Sequence, residues 1–320
     1  MEPKQKKAAL ENEKNFIKSI EGALKLIKKD EINEAYINLN ILERELEKLA
    51  DQGAILEPEL VITALHNIAF CHQKTGELEE SASYIEACIF NAENRYRQGK
   101  SKSKTDSYYS NRIKQASYLS TMYSYLCVVM SCIENHYIAV LHAQKALEYA
   151  RISIKSTVKA ASKGITHSIS AQKLRKKIYL GEISRKVTKE KPPNNLSILS
   201  QCLKMLSSKE LPGGLIKLNT IENVKSDLKE NMNLNSAMKI STLTYYKLKT
   251  LTNLDFELDG DEVFKKIYNV VMSLYLISSE KAMMDEKQSA INTRNKSVAI
   301  ARTFLPGDSS ILAQIKYLDE

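Results

Sequence analysis

Glycine and proline are scarce in this sequence. It has ten glycines and six prolines among 320 residues, less than half of the roughly 12% that the two residues together average in proteins. Turns and β-hairpins depend on both residues, so a β-sandwich or a β-barrel is not expected. Loops that hold phosphate groups also need glycine, and the common phosphate-binding motifs do not occur. The composition therefore favours an all-α fold.

The sequence also lacks paired cysteine motifs and long apolar runs. Its five cysteines form no Cys-x-x-Cys pair and stand among apolar neighbours, as is typical of reduced thiols in an intracellular protein. The amino terminus is charged and has no apolar signal segment. The longest apolar stretches, 125–133 and 270–277, fall far below the ~18–20 residues needed to cross a bilayer. We therefore expect a soluble, cytoplasmic protein.

Apolar residues recur at helical spacing in successive pairs of segments. The pairs are 16–27 with 32–49, 60–72 with 78–92, 107–133 with 137–154, and 261–283 with 286–304. Short polar breaks such as Thr75-Gly76-Glu77 separate the two members of a pair, and this pattern predicts antiparallel helical hairpins. Because one hairpin cannot bury its own apolar face, the hairpins are expected to stack.

Breaks in the pattern predict the organisation of the chain. Residues 1–12 are rich in lysine and glutamate and are predicted to be disordered. Residues 13–188 form the predicted helical array, whose final helices are basic, with one near 168–186. The stretch 189–196 contains Pro192-Pro193-Asn194-Asn195 and is predicted to be a linker. Residues 197–320 form a C-terminal helical region, with a short helix near 196–208 and helices near 218–231 and 234–253 before the final hairpin.

Residues 64–89 resemble a tetratricopeptide repeat. Leu65 stands at the tryptophan position of that family, Ile68 and Ala69 at its Leu-Gly pair, and Gly76 at its turn glycine. A second unit contains Tyr123, Leu126, Cys127, Met130, Ala139, Ala143 and Ala146, and a third contains Ala35, Leu39 and Leu42. The tail from Ala299 to Asp308 is similar to the end of the longer repeats of kinesin light chains. The resemblance implies a right-handed α-solenoid of stacked hairpins.

The same resemblance implies a binding protein and not an enzyme. Such arrays hold a peptide or helix of a partner in a concave groove lined by the first helix of each hairpin. In this chain Asn67 stands at one of the positions from which lysine, arginine and asparagine grip a partner's C-terminal carboxylate in one subtype, but Phe70 and Tyr125 occupy the matched positions where its companions are expected. These three residues are the predicted lining of the groove. The alternative for Asn67 is a residue at the edge of the core. The kinesin-like tail adds an expected association with the cytoskeleton or a cilium.

No residue pattern predicts catalysis, a metal or a cofactor. The histidine pairs His66/His72 and His136/His142 are six residues apart and point to different helix faces. Residues 255–261 imitate the first half of a calcium loop, but Lys266 stands where that loop needs a bidentate glutamate. An enzyme whose site is assembled from scattered residues stays open as the alternative to a binding protein.

Positive charge is concentrated in residues 151–192. This window has twelve Lys or Arg and two Glu, whereas the whole chain has a net charge of +9. A basic patch is predicted from Arg151, Lys155, Lys159, Lys163, Lys173, Arg175, Lys176 and Lys177. The first four recur every fourth residue and would form one stripe on a helix. The basic window is either a solvated face or a docking surface for RNA, for an acidic protein tail such as that of tubulin, or for an anionic membrane surface. Because Tyr179 is the one aromatic residue in the window, an acidic protein surface is favoured over RNA.

Overall fold

The structure is a computed structural model that describes residues 3–51, 57–98, 106–162, 195–208 and 260–305. Its helices in these ranges are α1 (Pro3–Lys28), α2 (Ile32–Asp51), α3 (Pro58–Thr75), α4 (Leu78–Gln98), α5 (Asp106–Cys132), α6 (His136–Ser162), α7 (Asn195–Ser207), α8 (Gly260–Met283) and α9 (Lys287–Phe304). The five described ranges contain no strand, which confirms the all-α prediction.

Two boundaries differ from the sequence prediction. Helix α1 begins at Pro3, inside the segment 1–12 that is predicted to be disordered; lysine, glutamate and alanine, which fill this segment, all have high helix propensity. Helix α7 lies where a short helix is predicted near 196–208, but it begins at Asn195, within the last two residues of the predicted linker 189–196. The helices predicted near 168–186, 218–231 and 234–253 lie outside the described residues, as does the chain after Leu305.

Four hairpin turns share one backbone conformation. Each contains one residue with positive φ, and these are Asp30 (66°), Gly76 (86°), Glu134 (60°) and Asp285 (65°). The residue that follows donates its backbone N–H to the carbonyl oxygen five residues earlier, at 3.0, 2.9, 2.9 and 2.8 Å in chain order. This Schellman arrangement ends one helix and reverses the chain into the next.

The helix after each turn brings a small side chain against its hairpin partner. Five residues after each positive-φ residue stand Ala35, Ser81, Ala139 and Ala290, all at most 4% exposed. Serine hydroxyls make further contacts across three hairpins: Ser81 donates to Ala69 O, Ser120 to Ala146 O and Ser297 to Val271 O, each at 2.9 Å. Direct contact between a serine and the facing backbone requires the two helices to approach closely.

The hairpins pack in chain order. From α1 to α6 each helix contacts the next one, α6 then contacts α8, and α8 contacts α9. The third hairpin (α5–α6) is therefore adjacent to the fourth (α8–α9), although residues 163–259 separate them in sequence. Helix α7 contacts α6, α8 and α9 at this junction. The described residues thus form four stacked hairpins with an insertion after the third.

Three apolar clusters run across the hairpin boundaries. The first cluster joins α1, α2 and α3. The second joins α3 through α6 and also includes Leu276 and Ile277 of α8. The third joins Ala150 and Ile154 of α6 to α7, α8 and α9. Each hairpin therefore shares its apolar core with a neighbour.

The turn geometry gives a prediction for Gly76. Gly76→Ala should lower the free energy of unfolding by about 1 kcal/mol, because φ of 86° disfavours a side chain although no atom lies within 4 Å of the added Cβ. Gly22→Ala is the matched control, since its Cβ would also be in open space but lies within helix α1, where alanine is favoured by up to about 1 kcal/mol. Urea denaturation measures the free energy of unfolding of both variants, and equal changes in the two would contradict the assignment of the turn.

The adjacency of the third and fourth hairpins gives a second prediction. A specific protease site inserted between residues 163 and 194 should be cleaved without separating the two fragments, because α6 and α8 share two of the apolar clusters. The cleaved protein should elute from gel filtration with the uncleaved one in native buffer and separate in denaturant. Separation in native buffer would show that the contact between α6 and α8 does not hold the chain together.

Candidate partner-binding surfaces

The three residues predicted to line a partner groove are buried. Asn67 is 0%, Phe70 8% and Tyr125 1% exposed. Asn67 donates from Nδ2 to Thr63 O at 2.8 Å, and the Tyr125 hydroxyl donates to Gln73 Oε1 at 2.6 Å. Phe70 belongs to the first apolar cluster. In this arrangement the three side chains serve packing and are not available to a partner.

The correction has a physical reason in helix α3. This helix has twelve buried residues within Glu59–His72, distributed over all of its faces. Apart from His66 and Asn67, which are also buried, apolar and small residues fill the stretch from Leu60 to Cys71. Helix α3 is therefore not the amphipathic helix with one solvated face that the groove prediction assumed. Asn67 is accordingly closer to the alternative of a core asparagine, with its amide satisfied inside its own helix.

The basic stripe on α6 has three described members. Lys155 and Lys159 are exposed and Arg151 is partly exposed, whereas Ile154, Thr157 and Ala160 of the same turns are fully buried. We call Arg151, Lys155 and Lys159 the α6 basic surface. The other predicted members, Lys163, Lys173, Arg175, Lys176 and Lys177, lie outside the described residues.

Helix α9 adds a cation next to this surface. Lys296 Nζ donates to Leu206 O at 2.7 Å and to Ser208 O at 3.0 Å, at the C-terminal end of α7, where the helix dipole favours a cation. Burial and the charge of Arg151 lower the pKa of Lys296. Positive charge therefore extends from α6 to the end of α7. The sequence spacing does not reveal the contact between Lys296 and α7 that brings this charge there.

The junction between the first two hairpins contains a histidine between two tyrosines. The His72 ring stacks on Tyr84 with ring centres 5.2 Å apart and meets the edge of Tyr36 at 4.7 Å. His72 Nδ1 lies 2.6 Å from Glu77 Oε2, and the Tyr84 hydroxyl donates to Glu43 Oε2 at 2.9 Å. Hydrogen bonds from His72 and Thr75 lower the pKa of Glu77, while burial raises the pKa of Glu43.

A similar polar cluster lies where the second and third hairpins meet. Glu93 Oε1 on α4 accepts hydrogen bonds from the hydroxyls of Tyr123 and Tyr149, both at 2.8 Å. Tyr123 stacks on Tyr149 at 5.7 Å and on His142 at 5.9 Å. Burial, followed by the Glu93 hydrogen bonds, raises the pKa of both tyrosines. Burial lowers the pKa of His142, whose Nε2 has no hydrogen-bond partner among the described residues.

The junction between the third and fourth hairpins contains an acid and a histidine. Glu280 Oε2 on α8 lies 2.9 Å from His136 Nδ1 at the start of α6. Burial raises the pKa of Glu280, and the hydrogen bonds from His136 and Ser131 oppose this shift. The sequence identifies His136 only as half of a poor metal-ligand pair with His142, six residues away. Nothing in the spacing relates His136 to Glu280, which is 144 positions further along the chain.

Cysteine chemistry is disfavoured where the structure describes it. Burial raises the pKa of Cys71 and of Cys202 to about 12 and also raises that of Cys132, so these thiols are not activated as nucleophiles. Within the described ranges, no three His, Cys, Asp or Glu side chains are placed to hold a metal ion. None of the described helices combines the length and apolar character that crossing a membrane requires.

Comparison with protein-family models, with curated proteins and with solved structures gives no match to this chain. Function therefore has to be inferred from the residues and their packing.

The buried imidazole of His142 gives a prediction on pH. Because its pKa is lowered in the folded protein, the unfolded chain takes up a proton at higher pH, and the free energy of unfolding falls as pH drops below the ordinary histidine pKa of about 6.5. His142→Phe keeps an aromatic ring against Tyr123 and should reduce this fall between pH 7 and pH 5, measured by urea denaturation. Tyr137→Phe, at an exposed site of the same helix, is the control; an unchanged slope in His142→Phe would contradict the prediction.

Proposed function

We propose that this chain is a non-enzymatic scaffold of tetratricopeptide-like hairpins that binds a partner peptide or helix. The observation that supports the proposal is the recurrence of one hairpin geometry at residues 30, 76, 134 and 285, each with a small residue five positions later. Recurrent hairpins that pack in chain order are the basis of extended binding surfaces in repeat proteins. The right-handed superhelix and the kinesin-like final repeat stay predictions, as does association with the cytoskeleton or a cilium.

The proposal is tested by partner capture. The full chain and residues 1–192, each tagged and checked for helicity by circular dichroism, should retain a common set of proteins after affinity purification, because the first three hairpins lie within residues 1–162. Cross-links should place the partner on these hairpins. If 1–192 folds and captures none of the partners of the full chain, the first three hairpins do not form the binding surface.

A second candidate function is docking of an acidic protein segment on the α6 basic surface. The exposure of Lys155 and Lys159 supports it, and Lys296 adds positive charge beside Arg151. Cations aligned along one helix face attract an extended acidic peptide through long-range electrostatics, and that attraction weakens with salt. Cofactors and metals have no place in either function.

Charge reversal tests the second candidate. The triple variant Arg151→Glu, Lys155→Glu, Lys159→Glu should weaken binding of a fluorescent ten-residue glutamate peptide at least about tenfold at low salt and flatten its salt dependence. The triple variant Lys18→Glu, Lys25→Glu, Lys28→Glu is the matched control, because these lysines are exposed on α1.

Equal losses in the two triple variants would show that net charge, and not the α6 basic surface, determines binding. A single-stranded RNA of the same charge is tested in parallel. If it binds more tightly than the acidic peptide, and its binding depends on the same α6 residues, the ligand of this surface is RNA and not an acidic protein segment.

A further inference from the structure

The contact between His136 and Glu280 exists only while the fourth hairpin is docked. The two residues are 144 positions apart, on α6 and α8, and their side chains meet at 2.9 Å. The Glu280 side chain is 1% exposed and that of His136 is 20% exposed. Since α6 belongs to the third hairpin and α8 to the fourth, separating these hairpins would break the contact and return both groups to water.

The carboxylate of Glu280 is only partly satisfied. Oε2 faces His136 Nδ1, but Oε1 is buried and has no hydrogen-bond partner among the described residues. The hydroxyl oxygen of the neighbouring Ser279 is also buried and has no hydrogen-bond partner among the described residues. A buried carboxylate with an unpaired oxygen is costly as an anion, and the cost grows when no positive charge lies beside it.

His136 provides the one positive charge that the described groups can place against this acid. From α5, the side chain of Ser131 hydrogen-bonds to Glu280, and the thiols of Cys127 and Cys132 are close enough to interact with it. The charges of α9 are engaged elsewhere, since Arg294 lies over the Tyr275 ring, Lys287 pairs with Asp285 and Lys296 donates to the end of α7. Helix α7 packs in the third apolar cluster, around Val263 to Leu274 of α8.

We propose that the His136–Glu280 pair makes docking of the fourth hairpin depend on pH, with the docked state favoured while the pair holds a proton. The proton resides either on the imidazole, which then forms an ion pair with the carboxylate, or on the carboxyl group, which is then neutral. Once the pair has lost this proton, the docked state buries an anion against a neutral ring, whereas the undocked state exposes the same anion to water.

The direction of the effect follows from proton binding. Burial raises the pKa of Glu280 in the docked state although the hydrogen bond from His136 opposes the shift, so the docked carboxyl group loses its proton at higher pH than the undocked one. Raising the pH through this range therefore costs the docked state more, and docking should weaken as pH rises above the ordinary titration range of glutamate. This direction is opposite to that expected for His142, which makes the two effects separable by variants.

Hydrogen exchange on the full chain tests the proposal. After correction for the intrinsic rate, the opening equilibrium of α8 and α9 should increase about threefold or more between pH 5 and pH 8, while that of α3 should not follow the same trend. Glu280→Gln keeps the shape and an acceptor for His136 and should remove the increase. His136→Gln, at a partly exposed site, keeps a donor but removes the positive charge that opposes the raised pKa of Glu280, so the increase should be at least as large as in wild type.

The control is Glu148→Gln, which breaks the exposed ion pair of Glu148 with Lys145 and should leave the pH profile unchanged. If Glu280→Gln fails to fold, His136→Gln alone decides the question. A smaller pH-dependent increase in His136→Gln than in wild type would overturn the proposal, as would a wild-type profile that is flat or falls with pH.

Discussion

The close approach of two helices within each hairpin is the constraint on which the rest of the structure depends. A helix that ends with one positive-φ residue and the backbone hydrogen bond that follows it must turn back directly on itself. The returning helix can lie against the first only if the residue that faces it is small, as Ala35, Ser81, Ala139 and Ala290 are. Once the pair is formed, its outer apolar residues have no partner except the next pair, and stacking follows.

Helical periodicity was sufficient to predict the hairpins, because each depends on residues close together in sequence. The turn at Gly76 and the segment that returns after it were identified in this way, and the structure has a helix in that segment, Leu78–Gln98. The prediction that Asn67, Phe70 and Tyr125 are exposed in a partner groove was wrong, since all three are buried. Periodicity shows where apolar residues recur along a helix but not how many neighbouring helices surround it. Helix α3 is buried on all sides, so none of its faces offers the exposed groove surface that the prediction required.

Contacts between distant residues could not be predicted from one sequence. Glu280 and His136, or Lys296 and the end of α7, become neighbours only because the fourth hairpin docks on the third. The same holds for the Glu93 cluster, whose tyrosines come from two other helices. Each junction between hairpins contains such a histidine or tyrosine next to a carboxylate, so polar groups that must be satisfied together add directional requirements to an otherwise apolar interface.

The insertion between the third and fourth hairpins has a consequence for recognising chains of this type. Residues 163–259 separate α6 from α8 in sequence, yet the two helices contact each other directly, as helices of adjacent hairpins do elsewhere in the stack. Related chains could therefore differ widely in length at this point and still have superimposable hairpins. The positive-φ residues of the four turns are 46, 58 and 151 positions apart, so a search that requires repeats at a constant period would miss their relationship, whereas a search for the turn and its buried small residue would find all four.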